Sequence, residues 1–221
     1  MRSVTLFAGP SAHGLARASL LVDSATLLPP VRRGDVDLLV ATSDPGVVVI
    51  CDGIFGSSAA VSHAEICNAL DSGWDVWGVS SMGAIRAYEM RSEGMRGFGY
   101  VYSLFGKLAD FNDDEMCLLH FPEEPYFPVS EALVNLRFAL EQQGAVLAIS
   151  EESQRELLAA LRELWFGDRT EERIRSIMTG RAGIDAAQAD ALLSWLGSHR
   201  VKTIDLAELM AVQPWLEPAR D

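Results

Sequence analysis

The stretch that decides the fold of this chain runs from Val47 to Met90 and contains VVVICDG (47–53), VSHAEICNAL (61–70) and DVWGVSSMGAIRAYEM (75–90). Val47–Cys51 is a short continuous apolar run bounded by turn residues, which is typical of a strand buried on both faces. Asp75–Val79 is a second such run. Two such strands separated by a helix form a βαβ unit, in which the strands are parallel and the crossover is right-handed.

The segment between the two strands carries clear helix signals. Ser62 is a good N-cap residue, and Glu65 follows three positions later, so the pair forms a capping box. Gly73 supplies the left-handed residue at which many helices end. The sequence therefore predicts a helix that begins after Ser62 and ends at Gly73.

This arrangement has a consequence for function, because ligands of open parallel sheets bind at the carboxyl ends of the strands. Asp52 follows the first strand, and Ser81 follows the second. His63 lies in the first turn of the intervening helix, and the loop at 55–60 can bring it back over the same edge. We therefore predict that Asp52, His63 and Ser81 line one cleft, with Gly9 and Ser11 on its rim.

The second strand leads into Ser80-Ser81-Met82-Gly83, which resembles a nucleophile elbow at a sharp strand-to-helix turn. Backbone amides after the serine would hold an oxyanion, and His63 is the candidate base. Position 79 is Val, where the usual elbow has Gly. A serine at such a turn is also a common helix cap or part of an anion cradle, so both interpretations of Ser81 stay open.

Further residues near this edge are candidates for ligand contact. Ser80, Met82 and Gly83 belong to the turn itself. Glu65, Arg86 and Glu89 either touch a ligand or only brace the site, and Arg86 and Glu89 are spaced to pair along one helix. These six residues complete the candidate binding set, together with two from the turn Gly9-Pro10-Ser11: Gly9 and Ser11. That turn is either plain turn chemistry or an anion site on free backbone amides.

The composition excludes several classes of protein. The net charge of −13 disfavours general nucleic-acid binding, which requires neutralisation of phosphates. The three cysteines form no CxxC pair, so the sequence predicts neither a zinc site nor a disulfide framework and favours a reducing, cytoplasmic location. The apolar run near the N-terminus is too short for a signal peptide, and no stretch is long enough to span a membrane.

The acidic cluster at 112–115 precedes the apolar run at 116–119. It is most simply the N-cap and first turn of a helix, where carboxylates interact favourably with the helix dipole. A metal site here would lack obvious companion ligands. We therefore predict no metal and no cofactor for this chain.

Other elements follow along the chain. Val4–Ala8 is predicted as a strand, Asp35–Ala41 as a helix, and Gly83–Arg91 as the helix after the serine turn. Ser130 is a candidate cap for a helix that carries Leu133 and Leu136. From about Gly144 onward the pattern is helical throughout, with caps at Ser150, Thr170 and Asp185.

The predicted architecture is therefore α/β, with a mostly parallel central sheet flanked by helices and a C-terminal helical appendage. The expected domains are an α/β core at residues 1–145 and a helical appendage at 146–221. The apolar stripes of that appendage either cover a core or form an interface with a partner.

A set of motifs in a fixed order carries a family resemblance: FAGPS (7–11), LLPPVRRGD (27–35), ICDGIF (50–55), VSHAEI (61–66), GVSSMGAIRAYEM (78–90), the glycine-rich GMRG (94–97), DDE (113–115) before an apolar run that ends at His120, and Ala132–Arg137. The chain resembles the TfuA-like proteins over about its first 140 residues. Two positions depart from the pattern: Ala64, where relatives more often carry Lys, and Cys51, where a smaller or aliphatic residue is more usual.

The resemblance implies a role that depends on partners. TfuA-like proteins are associated with YcaO enzymes, which activate a peptide backbone amide with ATP and convert it to a thioamide. The accessory protein is thought to help supply or receive the sulfur nucleophile, for example by hydrolysing a thiocarboxylate on a small sulfur-carrier protein. The implied partners are thus a YcaO enzyme, a sulfur carrier and a precursor peptide, with no nucleic acid and no membrane.

Two main hypotheses stand at this point. In the first, the protein is a hydrolase that uses Ser81, His63 and Asp52 for acyl transfer. In the second, it is a non-catalytic adaptor that binds the YcaO enzyme and the precursor peptide, and Ser81 is a structural cap. A self-standing esterase is a third, weaker possibility.

Overall fold

The computed structural model describes residues 2–21, 25–54 and 59–217. The chain forms two compact units. The first consists of Met1–Phe111 together with Lys202–Asp221, and the second of Asn112–Val201. All of the candidate site residues belong to the first unit.

The first unit is built on a sheet of five parallel strands in the order β2-β1-β3-β4-β5. The strands are β1 (Val4–Phe7), β2 (Thr26–Leu28), β3 (Val47–Ile50), β4 (Asp75–Val79) and β5 (Arg96–Phe98). The helices of this unit are α1 (Arg17–Leu20), α2 (Asp35–Thr42), α3 (His63–Asp71), α4 (Met82–Glu89), α5 (Gly99–Leu104) and α10 (Val201–Val212), which begins at the boundary with the second unit.

The central βαβ unit is confirmed. The strands β3 and β4 are direct neighbours and run parallel, with Val47 opposite Asp75. The capping box of α3 is present in both directions, since Ser62 and Glu65 each accept from the backbone amide of the other. The predicted α/β class with a mostly parallel sheet is therefore correct, and this sheet is parallel throughout.

Helices cover both faces of the sheet, as parallel sheets require. On one face, Val48 and Ile50 of β3 pack with Ile66 of α3 and Met82 and Ala87 of α4. On the other face, alternate residues of the same strands pack against α10, in a cluster that includes Val47, Val49, Val79, Leu206, Leu209 and Met210. Helix α10 is thus part of the core of the first unit.

The second unit is helical. Its helices are α6 (Leu133–Gln143), α7 (Glu151–Arg162), α8 (Glu171–Thr179) and α9 (Ala186–Ser198). Their apolar faces meet in one buried cluster that includes Leu136, Leu140, Leu157, Leu161, Ile174, Met178, Leu192 and Leu196. The apolar stripes predicted for α7, α8 and α9 are therefore buried against each other. Trp165, which was expected to continue the stripe of α7, lies beyond the end of that helix and is 57% exposed. The predicted caps at Ser150, Thr170 and Asp185 are all present.

The division into units differs from the boundary expected near residue 145. Helix α6 contributes Leu133, Leu136 and Leu140 to the same cluster as α7, α8 and α9, so the second unit begins before it. Helix α10 lies outside the second unit because its apolar residues complete the core beneath the sheet.

Two local predictions are wrong. Ser130 does not cap α6, whose N-cap is Ala132, because its hydroxyl accepts a hydrogen bond from the amide of Leu119 instead. The acidic cluster opens only a three-residue 3-10 helix, Asp113–Glu115, and the apolar run after it is not helical. Within the described ranges, no helix is long and apolar enough to cross a membrane.

Candidate functional site at the carboxyl edge of the sheet

The turn between β4 and α4 is packed tightly against the end of β3. The amide of Gly83 donates a 3.1 Å hydrogen bond to the carbonyl oxygen of Cys51. A Cβ at Gly83 would overlap the carbonyl oxygen of Ile50, and one at Gly78 would overlap the carbonyl oxygen of Gly83. Glycine at both positions therefore allows β3, β4 and α4 to approach each other at this edge.

Ser81 lies at the N-cap of α4 and is 2% exposed. Its backbone is neither helical nor extended, with φ −125° and ψ −121°. In the described part of the chain, its side chain accepts no capping hydrogen bond from the first turn of α4. The alternative in which Ser81 serves as a side-chain cap is thus not realised here.

The backbone amide of Met82 directly follows Ser81. Among the residues that the structure describes, this N–H has no hydrogen-bond acceptor, whereas the amides of Ala84 and Ile85 are both bonded to the carbonyl of Ser81. An uncommitted amide immediately after a serine, at a helix start, is the arrangement that stabilises an oxyanion in acyl transfer.

Ser80 has a different environment from Ser81. It is fully buried and adopts a positive φ of 64°, a conformation that non-glycine residues rarely adopt. Its hydroxyl donates a 2.6 Å hydrogen bond to the carbonyl oxygen of Lys202, in the first turn of α10. Ser80 was a candidate for ligand contact, but the structure commits its hydroxyl to the C-terminal helix.

Asp52 is buried at the end of β3 and accepts three hydrogen bonds from the turn after β1. The amides of Gly9 and Ser11 donate to Oδ2 at 2.8 and 3.0 Å, and the hydroxyl of Ser11 donates to Oδ1 at 2.7 Å. The turn after β1 therefore does hold an anion, and that anion is the carboxylate of Asp52. This contact ties the ends of β1 and β3 together.

Cys51 is buried beside this carboxylate, with its sulfur 3.8 Å from Oδ2 of Asp52. Burial raises the pKa of the Cys51 thiol well above its usual value, and the charge of Asp52 raises it further. The thiol is thus kept protonated, which is the inert state of a structural cysteine.

His63 opens α3, and its ring pairs with a residue of α4. Nε2 of His63 lies 2.8 Å from Oε2 of Glu89. Arg86 donates to the same carboxylate oxygen at 2.6 Å and, through Nε, to the carbonyl of Val61 at 3.0 Å. Burial raises the pKa of Glu89, but the hydrogen bond from His63 and the charge of Arg86 outweigh it, so the pKa lies below its usual value.

Glu65 is buried and braces the entrance to α3. Its carboxylate accepts from the amide of Gly34 at 2.6 Å and from Ser62, and it lies 3.3 Å from Nε of Arg33. All of these contacts hold the loop after β2 against the start of α3. Of the two roles open to Glu65, the contacts present are those of a brace.

The structure thus places several of the candidate residues in two separate hydrogen-bonded groups. One contains Gly9, Ser11 and Asp52, and the other contains His63, Arg86 and Glu89. The loop expected to carry His63 over the sheet edge includes 55–58, which lie outside the described residues. The convergence of Asp52, His63 and Ser81 therefore stays a prediction.

Sequence reasoning missed two partnerships among these residues. Glu89 is the carboxylate that contacts His63, and the only sequence signal for it was its spacing from Arg86. The bond between Ser80 and Lys202 joins residues 122 positions apart. Lys202 is itself buried, with 2% of its surface exposed, and no local sequence motif predicts its contact with Ser80.

In the second unit, the acidic cluster is used for ion pairs. Glu115 is buried and lies 2.7 Å from both Arg137 and Arg162, and Asp114 pairs with the buried Arg169. Across the ranges that the structure describes, no group of three or more His, Cys, Asp or Glu side chains is arranged to hold a metal ion.

Comparison with known proteins adds one finding. A family model described as TfuA-like protein matches residues 52–170, which is more than half of the chain. The matched region includes Asp52, His63 and Ser81 and continues through α6 and α7 into the second unit. Among curated proteins, none matches the chain closely enough to indicate a relationship.

Proposed function

The chain belongs to the TfuA-like family, and on that premise we propose that it is an accessory protein of YcaO-dependent thioamidation that releases sulfide from a thiocarboxylated sulfur-carrier protein. The family membership is consistent with a YcaO-associated role. The hydrolytic step is the finer part of the proposal, and it is supported by the turn at Ser81.

A single observation carries that step. Ser81 stands at a sharp strand-to-helix turn without capping the helix, and the next amide, Met82 N–H, has no acceptor among the described residues. A structural serine at this position would normally satisfy one of the free amides at the helix start. A hydroxyl and an amide that are both left for a ligand suit nucleophilic attack on an acyl carbon.

The proposed reaction has two steps. The Ser81 oxygen attacks the thiocarboxylate carbon of the carrier, the carbon–sulfur bond breaks, and the sulfur leaves as hydrosulfide with the proton from the serine hydroxyl. Water then cleaves the acyl-serine ester, which returns the hydroxyl and gives the carrier a carboxylate terminus. The net reaction consumes one water and releases one hydrosulfide ion and one proton, with no change in oxidation state.

In this proposal His63 is the base that accepts and returns the serine proton. Glu89 holds the ring of His63 through Nε2, so Nδ1 is the nitrogen that takes the proton in this proposal, the reverse of the usual serine–histidine arrangement. Asp52, which was expected to be that carboxylate, serves instead to fix the turn at Gly9 and Ser11 beside the site.

The partners follow from the chemistry of sulfide. Sulfide diffuses away rapidly, so its release inside a complex raises its effective concentration at the amide that the YcaO enzyme has activated. We therefore propose that the protein acts in a cytoplasmic complex with a YcaO enzyme and the precursor peptide, and that the carrier protein brings the sulfur to this complex.

Sulfide release from a purified thiocarboxylated carrier protein tests the hydrolytic step. The parent protein is expected to release sulfide, and both Ser81→Ala and His63→Ala are expected to lower the rate by at least about 100-fold. Ser92→Ala, at an exposed serine just after α4, is the matched control and should behave as the parent. Release that survives both substitutions would rule out this mechanism.

A reconstituted thioamidation reaction separates delivery from adaptor function. Ser81→Ala should abolish carrier-dependent thioamidation while the complex with the YcaO enzyme still forms, and excess free sulfide should restore activity. Failure of sulfide to rescue an intact complex would favour the adaptor. Rapid turnover of small acyl esters without any partner would favour the esterase.

A further inference from the structure

The turn that carries Ser81 is under conformational constraint. The residue before it, Ser80, has a φ of 64° without being glycine. A non-glycine residue in this region is strained and persists only where surrounding contacts hold it. The contacts that hold Ser80 therefore also determine where Ser81 and the Met82 amide lie.

One of those contacts comes from the far end of the chain. The Ser80 hydroxyl is fully buried and donates to the carbonyl oxygen of Lys202 at 2.6 Å. Lys202 lies 32 residues beyond the end of the family-matched region, residue 170. The serine turn thus depends on a segment that the family model does not include.

Helix α10 is itself fixed firmly enough to act as a support. Leu206, Leu209 and Met210 are buried in the cluster beneath the sheet. The carboxylate of Asp205 accepts 2.9 Å hydrogen bonds from the amides of Tyr100 and Val101, at the start of α5. The carbonyl of Lys202 is therefore presented to Ser80 by a helix that is anchored along its length.

We propose that Ser80 is a positioning residue: its hydrogen bond to the carbonyl of Lys202 fixes the strand-to-helix turn in the conformation that makes Ser81 and the Met82 amide competent. The helix at the C-terminus is accordingly part of the site. The expected effect of Ser80 on catalysis rests on the proposed hydrolysis. Its role in fixing the conformation of the turn does not depend on that reaction.

Two substitutions separate the hydrogen bond from the backbone conformation. Ser80→Ala removes the donor, and Ser80→Gly removes the donor but adopts a positive φ without strain. Both are expected to lower kcat for sulfide release by about 10- to 100-fold, because the misplaced turn no longer aligns the reacting groups. KM for the carrier should stay within about twofold of the parent, since the change affects alignment and not uniform binding.

Ser80→Cys, which keeps a weak donor of similar size, should retain an intermediate kcat. Ser92→Ala is the control and should match the parent. A wild-type kcat in Ser80→Gly would show that only the backbone conformation matters and would overturn the proposal. A rise in KM at constant kcat would also overturn it.

Amide resonances of Met82 and Gly83, measured by NMR in each variant, test the turn without any activity. They are expected to shift in Ser80→Ala and Ser80→Gly and to stay in place in Ser92→Ala. Unchanged resonances in the Ser80 variants would overturn the inference. If the parent releases no sulfide, the proposed hydrolysis fails, while the resonances still decide whether Lys202 and Ser80 fix the turn.

Discussion

Nε2 of His63 lies 2.8 Å from Oε2 of Glu89, so the first turn of α3 is joined to the last turn of α4. Arg86 donates to the same oxygen and neutralises the carboxylate. The ring of His63 is therefore held by a residue of the helix that begins directly after Ser81.

The His63–Glu89 pair predicts a pH-dependent stability term. The pKa of Glu89 is lower in the folded chain than its usual value of 4.5. The ionised Glu89 side chain therefore contributes to the free energy of unfolding above pH 4.5, and this contribution is lost as the pH falls through the lower pKa of the folded state. Urea unfolding of Glu89→Gln should show a loss of about 0.2–1 kcal/mol at neutral pH, because the pair is partly exposed, and a vanishing difference at low pH. Glu93→Gln, at a neighbouring exposed carboxylate, should show neither effect.

A second prediction concerns the anchor at Asp52. Asp52→Asn removes the negative charge that strengthens the hydrogen bonds from the amides of Gly9 and Ser11 and leaves one acceptor oxygen where there were two, so the free energy of unfolding should fall by about 2–3 kcal/mol. Ser11→Ala removes only the hydroxyl bond and should cost about 1 kcal/mol. Asp37→Asn, at an exposed carboxylate bonded to Asn68, is the control. Equal losses for Asp52→Asn and Asp37→Asn would contradict the anchoring role.

The central elements could be predicted from local patterns because their signals are local. The runs at β3 and β4 are continuous and apolar, and the Ser62–Glu65 capping box marks the start of α3 independently of any tertiary contact. The serine turn was recognisable for the same reason, since a strand end and a helix start meet there.

The features that sequence reasoning missed depend on distant partners. The strands β2 and β5 are three residues each and lie at the two edges of the sheet. Strand β2 precedes two prolines and β5 contains a glycine, so neither is long or regular enough to show the apolar pattern that predicts a strand. The apolar residues of α10 repeat like those of α7, α8 and α9, and only the folded chain shows that they cover the sheet.

The structure of the acidic cluster at 112–115 also depends on partners that are distant in the sequence. Three consecutive carboxylates before an apolar run indicate a helix start, and Asn112 does cap one turn there. Glu115 is buried in the second unit, where it pairs with Arg137 and Arg162, which lie 22 and 47 residues away. The 3-10 helix ends at Glu115, and no α-helix follows it directly.

A third prediction concerns Asp205, whose carboxylate caps the start of α5. Burial raises its pKa from 3.8 to about 7, the two backbone hydrogen bonds oppose that shift, and Glu208 adds to it. Because the folded pKa is the higher one, the stability that this group contributes is fully present below pH 3.8 and is lost as the pH rises towards 7.

Thermal unfolding between pH 4 and 7 checks this prediction. The parent should lose stability over that range by an amount bounded by about 4 kcal/mol, and Asp205→Asn should remove most of the slope because it cannot ionise. Glu208→Gln should reduce the slope only slightly, since the charge of Glu208 is the weakest of the influences on the pKa of Asp205. A parent and an Asp205→Asn variant with parallel pH profiles would contradict the assignment.

The last prediction tests the close approach of β3, β4 and α4 with a pair of glycines. A Cβ at Gly83 would overlap the backbone of Ile50, so neither a rotamer change nor a small shift relieves it, and Gly83→Ala should cost about 3 kcal/mol or more. Gly197 in α9 has no atom within 4 Å of its would-be Cβ, and its φ is not positive. Gly197→Ala should therefore stabilise the chain by about 0.5–1 kcal/mol. Chemical denaturation of the two variants, measured side by side, checks the sign of both changes in the free energy of unfolding. An alanine that is tolerated at position 83 would mean that the serine turn is not packed against β3 as described.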